Sequence, residues 1–236
     1  MKGHKLFSPW IAGAALASLL MLCRAGLAGP PLICQPLDIG GAKSLPWGES
    51  NSGKADYDLA RLAGDTLGLL TPGTPVIVRM ETLRRAAIYS QRNEAAAKEL
   101  LLKLHARAFD AEAKGQPDAL AWFDLGYLVE CIQQANWTYQ KLSSGAMEQK
   151  PNVAMNLEGS AWVLKAIQLK GDDPQMELAA ALITEWPRQK SYEAHLRKAA
   201  AEAPEGSLLA KNLVLRFGNH ANTIAELRAQ VGGPNK

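Results

Sequence analysis

Residues 118–141, DALAWFDLGYLVECIQQANWTYQK, decide the fold that the sequence predicts. Four apolar residues recur along it at intervals of one, three or four: Leu125, Leu128, Val129 and Ile132. This spacing places them on one face of an amphipathic helix. The segment also contains two tryptophans and Cys131, so we expect it to be the central helix of the chain.

Helical spacing recurs on both sides of the central segment. Three helices are predicted before it. The first has a buried stripe of Leu59, Leu62, Thr66 and Leu69, the second has Thr74 as its N-cap and Pro75 as its first residue, and the third covers 94–114. After a polar loop at 143–156, helices are predicted over 157–170, 174–186, 191–203, 207–217 and 221–231. Short Gly and Pro turns between such helices predict an all-α fold of stacked antiparallel hairpins.

The first 28 residues have the order of a secretory signal peptide. A basic start precedes an apolar run from Leu6 to Cys23, and small residues stand at Gly26 and Ala28. The alternative is a retained membrane anchor, because the run is about as long as a short spanning helix. The proline inside the run and the small residues at its exit favour cleavage before Gly29. We therefore expect a bacterial protein that is exported to the periplasm or secreted, and that meets the membrane only through this peptide.

The charge balance changes if residues 1–28 are removed. The chain has 26 basic and 23 acidic residues, and the peptide contains three of the basic ones and none of the acids. The remainder is formally neutral, so the sequence does not have the net positive charge that is typical of nucleic-acid binding.

Cleavage would also remove Cys23 and leave Cys34 and Cys131. Two cysteines in an oxidising compartment predict a disulfide, which would stabilise the fold by roughly 4 kcal/mol on the chain-entropy argument. The alternative is two separate buried thiols.

Residues 29–56 are rich in Pro, Gly and Ser and show no sustained periodicity. They predict an extended segment that lies on a helical domain formed by residues 57–236. Its apolar residues are the expected anchors: Leu37, Ile39, Leu45 and Trp47.

Two fragments resemble the tetratricopeptide repeat. Ala166-Ile167-x-Leu169-x-Gly171-Asp172-Asp173-Pro174 is similar to the end of the second helix of that repeat, and Trp122-x-x-Leu125-Gly126 is similar to its first helix. The resemblance implies stacked hairpins with a concave surface suited to peptides or partner proteins. No single 34-residue period covers the chain.

The stretch from Cys34 to Trp47, CQPLDIGGAKSLPW, resembles a segment of an uncharacterised family of exported bacterial proteins with helical bodies. This resemblance implies a bacterial envelope context and no particular activity.

Residues 48–54, GESNSGK, match the first seven positions of a phosphate-binding loop. The next residue should carry a hydroxyl group that binds magnesium, but it is Ala55. The preceding stretch is short and contains a proline, unlike the buried strand that such a loop follows. We therefore predict neither nucleotide binding nor a cofactor.

The sequence shows no assembled catalytic or metal-binding set. His105, His195 and His220 each stand alone on a predicted helix, so we expect structural roles for them. Acidic residues are plentiful, and a pair of them could in principle hydrolyse a glycan; the candidates are Asp56, Asp58, Asp65, Glu81, Asp124 and Glu130. Spacing alone selects no pair. Those on the central helix are expected to be solvated or paired with arginine.

Tryptophans are the remaining candidates for a binding surface. Trp47, Trp122, Trp137, Trp162 and Trp186 could line a groove for peptide or sugar, although tryptophan in apolar helical runs usually packs in a core. We select Trp137 and Trp47 as the candidate surface residues. The leading hypothesis is an exported, non-enzymatic scaffold that binds an envelope protein or peptide. The alternatives are a cell-wall hydrolase with a carboxylate pair in the helical groove and a structural envelope protein without a ligand.

Overall fold

A computed structural model describes residues 30–48, 52–144, 152–185 and 189–232, and gives only the helical backbone for 137–144. These described ranges contain helices and no strand or sheet, apart from an isolated bridge between Trp47 and Gly53. The predicted all-α class is therefore confirmed. The predicted signal peptide at 1–28 lies outside the described residues, as do parts of the predicted loop at 143–156.

Ten α-helices are described, and a single 3-10 turn at Leu59–Arg61 precedes the second of them. They are α1 Pro31–Cys34, α2 Leu62–Leu69, α3 Val76–Ser90, α4 Glu94–Ala113, α5 Ala119–Ser144, α6 Gly159–Lys170, α7 Pro174–Thr184, α8 Tyr192–Glu202, α9 Leu208–Phe217 and α10 Ile224–Gly232.

The predicted central helix is α5, which packs against α1, α3, α4, α6 and α7. Every residue from 121 to 129 is buried, including the polar Asp124. The predicted stripe is therefore correct but too narrow, because neighbours on several sides bury the whole circumference of this part of the helix.

Two glycines set the distance between α5 and α6. A methyl group added at Gly126 would lie 2.6 Å from the carbonyl oxygen of Gly159, and one added at Gly159 would lie 2.5 Å from the carbonyl oxygen of Gly126. These distances are too short for any carbon atom. The two backbones therefore touch where both residues lack a side chain.

Helix caps lie close to the predicted stops, with one correction. Asp173, Asn93 and Ser207 cap α7, α4 and α9 by accepting hydrogen bonds from backbone amides of the first turn. Thr74 was predicted as the N-cap of α3, but that position belongs to Pro75. The Thr74 hydroxyl instead donates to the Leu69 carbonyl at 2.7 Å, which satisfies the end of α2.

Residues 30–48 lie across the helical body and contain one helical turn, α1. The predicted anchors Leu37, Ile39 and Leu45 are buried, and Trp47 is half-buried. Leu32 is buried as well. The segment is therefore held by apolar contacts along most of its length.

The predicted disulfide between Cys34 and Cys131 is not formed. Cys34 is exposed at the end of α1, whereas Cys131 is 0% exposed in the middle of α5. Burial raises the pKa of the Cys131 thiol well above its usual value. One thiol lies at the surface and the other inside the core, so their sulfur atoms are not apposed as a disulfide requires.

None of the helices in the described ranges has the combination of length and apolar character that crossing a bilayer requires.

Candidate functional site

Of the two tryptophans selected from the sequence, only Trp47 has a described side chain. Trp47 packs edge-on against Tyr89, with ring centroids 5.7 Å apart, and the guanidinium groups of Arg84 and Arg85 lie 5.2 and 5.3 Å from its ring centroid. Trp47 is thus part of the packing between the N-terminal segment and α3. The side chain of Trp137 lies outside the described residues, as does Trp186.

A continuous row of aromatic rings instead connects α4, α5 and α6. His105 stacks on Phe109 with centroids 4.0 Å apart, and Phe109 lies 4.8 Å from Trp122 and 6.3 Å from Trp162. Trp122 and Trp162 are 6.1 Å apart. We call His105, Phe109, Trp122 and Trp162 the aromatic surface. Three helices thus contribute rings to one contiguous cluster.

The aromatic surface is partly covered by an ion pair. The Lys165 ammonium lies 3.9 Å from the centroid of Trp122 and donates a hydrogen bond to the carboxylate of Glu112. Trp122 is 2% exposed, and its indole N–H has no hydrogen-bond partner among the described residues. Lys165 and Glu112 therefore bridge α6 and α4 above the buried indole.

The outer part of the surface is open to solvent. Phe109 is 40% exposed and His105 is exposed, while Trp162 is half-buried. Leu102, one turn before His105 on the same face of α4, is 57% exposed. Leu169, two turns after Trp162 on α6, is 41% exposed. Large apolar side chains thus extend the aromatic surface at both sides, which is uncommon on a surface without a partner.

The sequence contained a signal for this surface. Leu101, Leu104 and Ala108 form the buried stripe of α4, as their spacing indicates. A second row, with the large apolar residues Leu102 and Phe109 and the aromatic His105, follows it one residue later. An amphipathic helix that covers a core needs only the first row, so the second row marks a helix with two apolar faces.

Two acids from the candidate set are fully buried and paired with arginine in separate clusters. Asp124 accepts a hydrogen bond of 2.5 Å from Arg79, and Arg107 lies 3.6 Å from the same oxygen. Burial raises the pKa of Asp124 to about 7, and the two guanidinium groups lower it in part. Its other carboxylate oxygen has no partner among the described residues. Glu81 is bound by Arg84 and Arg85.

The remaining acids also have local structural roles or lie at the surface. Asp58 caps the turn before α2, and Asp65 accepts hydrogen bonds from Tyr57 and Arg61. Glu130 accepts a hydrogen bond from the Ser160 amide at 2.6 Å, and burial raises its pKa. Asp56 is exposed. None of these contacts brings two of the candidate carboxylates together.

His195 is not isolated, although the sequence shows no partner nearby. Its Nδ1 atom lies 2.5 Å from the carboxylate of the buried Glu177, which also accepts a hydrogen bond of 3.0 Å from Lys198. Lys198 reaches Asp172 as well, at 3.2 Å. The cluster joins α7 to α8. Across the described residues, no group of three or more His, Cys, Asp and Glu side chains could hold a metal ion.

In the segment that matches a phosphate loop, two described amides donate hydrogen bonds within the chain. The Gly48 amide donates to the Ser52 carbonyl at 2.9 Å, and the Lys54 amide donates to the Tyr89 hydroxyl at 2.9 Å. Gly53 fits against the Tyr89 ring, where an added methyl group would lie 2.6 Å from a ring carbon. Residues 49–51 lie outside the described residues.

The aromatic surface is the strongest candidate site because its rings are contiguous and its edge is exposed. Comparisons of the chain with protein-family models, with curated proteins and with solved structures found no match.

Proposed function

We propose that this protein is an exported, non-enzymatic helical module that binds an envelope protein or peptide through the aromatic surface. One observation carries the proposal: Phe109 and Leu102 are 40% and 57% exposed on a face whose rings continue inward to the buried Trp122. Covering such side chains is favourable, at about 25 cal/mol per Å² of apolar surface removed from water.

The surface has the composition of a protein-binding site. Aromatic residues occupy its centre, and the Lys165–Glu112 pair provides polar groups at its edge. Rigid rings that are already packed against one another lose little conformational entropy when a partner covers them. A partner with aliphatic or aromatic side chains fits this arrangement, as the predicted concave helical architecture also implies.

The binding proposal is tested by cross-linking in cells. A photoactivatable amino acid at position 102 should capture a defined protein, and the variant Phe109→Ala should reduce that capture at least tenfold, as expected for a central aromatic contact. Leu215→Ala on α9 is the matched control, because Leu215 is 75% exposed and lies on a different helix. The thermal midpoint should stay unchanged in the Leu215 variant and fall by a few degrees in the Phe109 variant, which also loses ring contacts with Trp122 and Trp162; far-UV circular dichroism should show that both variants remain folded.

The binding proposal fails if capture at position 102 is equally strong in the Phe109 variant. It also fails if the Leu215 variant loses capture to the same extent, because the effect would then not depend on the aromatic surface.

Export is tested separately by sequencing the N-terminus of protein that is purified from the bacterial envelope. A start at Gly29 would support cleavage and release. A start at Met1 in the membrane fraction would favour the anchor alternative instead.

A further inference from the structure

Buried polar side chains of the helical body bind the backbone of the N-terminal segment. Six side chains of the body make seven hydrogen bonds to backbone atoms of residues 32–46, and each of these bonds spans at least 40 positions in sequence. They are Gln134 with the Leu32 amide (2.9 Å), Glu81 with the Leu37 amide (3.0 Å), Asn212 with the Asp38 amide (2.8 Å), Arg84 with the Ile33 carbonyl (2.8 Å), Arg85 with the Leu45 carbonyl (2.8 Å) and Tyr89 with the Pro46 carbonyl (2.6 Å).

Asn212 binds both backbone groups of one residue. Its side-chain oxygen accepts from the Asp38 amide, and its side-chain nitrogen donates to the Asp38 carbonyl at 2.8 Å. This paired contact is the one that a neighbouring β-strand would otherwise supply. Asn212 is 2% exposed, so its amide group is committed to this contact inside the fold.

Three of these side chains, all on α3, also bind one another. Glu81 accepts from Arg84 at 2.8 and 2.9 Å and from Arg85 at 2.7 Å, across intervals of three and four residues on one helix. The contacts to Leu37, Ile33 and Leu45 use the remaining hydrogen-bonding capacity of these groups. The geometry that binds the segment is therefore preorganised on α3.

Most of the buried side chains of the segment are aliphatic. Leu32, Ile33, Leu37, Ile39 and Leu45 of the segment are buried. The side chains between them are largely exposed, among them those of Cys34, Ala42 and Lys43. Backbone contacts are available to any sequence, so the arrangement requires an extended chain with aliphatic residues at these positions.

We propose that the groove on α3, α5 and α9 is a peptide-binding site, which the segment 30–48 fills within its own chain, and that it takes an extended aliphatic peptide of a partner protein when the segment leaves. The groove is distinct from the aromatic surface. This proposal therefore does not depend on the function proposed for that surface. The segment is then an internal competitor of the partner peptide.

Tethering explains why the segment occupies the groove by default. A linked segment has an effective concentration in the millimolar range, so a free peptide of equal intrinsic affinity binds the intact chain weakly. Cutting the link removes this advantage and makes the groove accessible to exchange.

The test uses the full chain with a protease site inserted after Ser50, which is cut after folding. The probe is a fluorescent peptide with the sequence of residues 30–48, and its uptake is followed by anisotropy. We expect saturable one-to-one uptake by the cut protein and at least tenfold weaker binding to the uncut protein.

Three altered probes test what the groove recognises. Replacing residues 34, 42 and 43 of the probe by serine should change its affinity for the cut protein less than about threefold. N-methylation of Leu37 or Asp38 should weaken binding about tenfold or more, because each removes a backbone donor to a buried acceptor. Ile39→Asp should abolish binding. In the protein, Asn212→Ala should weaken uptake, while the neighbouring Lys211→Ala, at an exposed position, should not.

Several outcomes would overturn the proposal. The groove is not a separable peptide site if the cut protein loses its helical circular dichroism, or if it stays folded and takes up no probe. Equal binding of the N-methylated and unmodified probes would show that the backbone is not recognised.

Discussion

Replacing Gly126 by alanine should destabilise the fold although alanine is the better helix former. Gly→Ala inside a helix gains up to about 1 kcal/mol. At position 126 the new methyl carbon would lie 2.6 Å from the Gly159 carbonyl oxygen and 2.9 Å from the Val163 amide nitrogen. Both atoms belong to the backbone of α6, so neither can rotate away. Overpacking costs roughly 1 to 3 kcal/mol or more, and we expect a net loss of about 2 kcal/mol.

Gly64→Ala is the matched control. Gly64 lies in α2, and no atom lies within 4 Å of a methyl group added there. The same chemical change should therefore stabilise the protein by about 0.5 to 1 kcal/mol. For a chain of this size 1 kcal/mol corresponds to roughly 2–4 °C in the thermal midpoint, which predicts a fall of about 4–8 °C for Gly126→Ala and a rise of about 1–4 °C for Gly64→Ala.

Thermal unfolding followed by circular dichroism measures both shifts. The reasoning is refuted if the two variants shift the midpoint in the same direction, because the contact between α5 and α6 would then not determine the outcome at Gly126.

Two further predictions concern the buried ionisable groups. Glu81→Gln should lower the free energy of unfolding by about 3–5 kcal/mol, because it leaves the buried Arg84 without a counter-charge; urea unfolding with an effect below 1 kcal/mol would contradict this. The second prediction concerns Asp124, whose pKa burial raises to about 7. The folded state therefore keeps a proton on this carboxyl group that the unfolded chain releases near pH 4. Because of this difference, the contribution of Asp124 to the free energy of unfolding falls as the pH rises from about 4 to 7. Asp124→Asn should flatten the pH dependence in that window, and an unchanged slope in urea unfolding would rule out this assignment.

The helices were predictable because their signals are local. Pro174 after Asp173 and the glycine at 171 mark the joint between α6 and α7, and α7 begins at the predicted residue. Leu125, Leu128 and Val129 are buried as their spacing indicates. Such features need only neighbouring residues, so one sequence suffices to find them.

The contacts of the candidate surfaces were less predictable, because they join residues that are far apart in sequence. Trp47 is half-buried, and the sequence gave no sign that Arg84 and Arg85 lie against its ring. Both arginines lie on α3, and the apolar stripe of that helix did not predict that their side chains are buried or nearly buried. Their partners in the N-terminal segment are more than 35 positions away, and such pairings depend on how the segment crosses α3. The predicted disulfide was wrong for a similar reason, because cysteine count says nothing about which thiol the core encloses.

The asymmetry between the two indoles of the aromatic surface gives the protein an optical reporter. Trp122 is already shielded, whereas Trp162 is half-buried. A partner that covers Phe109 would remove water from Trp162, only 6.3 Å away, and shift its emission to shorter wavelengths. Trp122, at 2% exposure, has almost no water to lose. Occupancy of the surface is therefore readable as a change in intrinsic fluorescence that Trp162→Phe removes, without any attached dye.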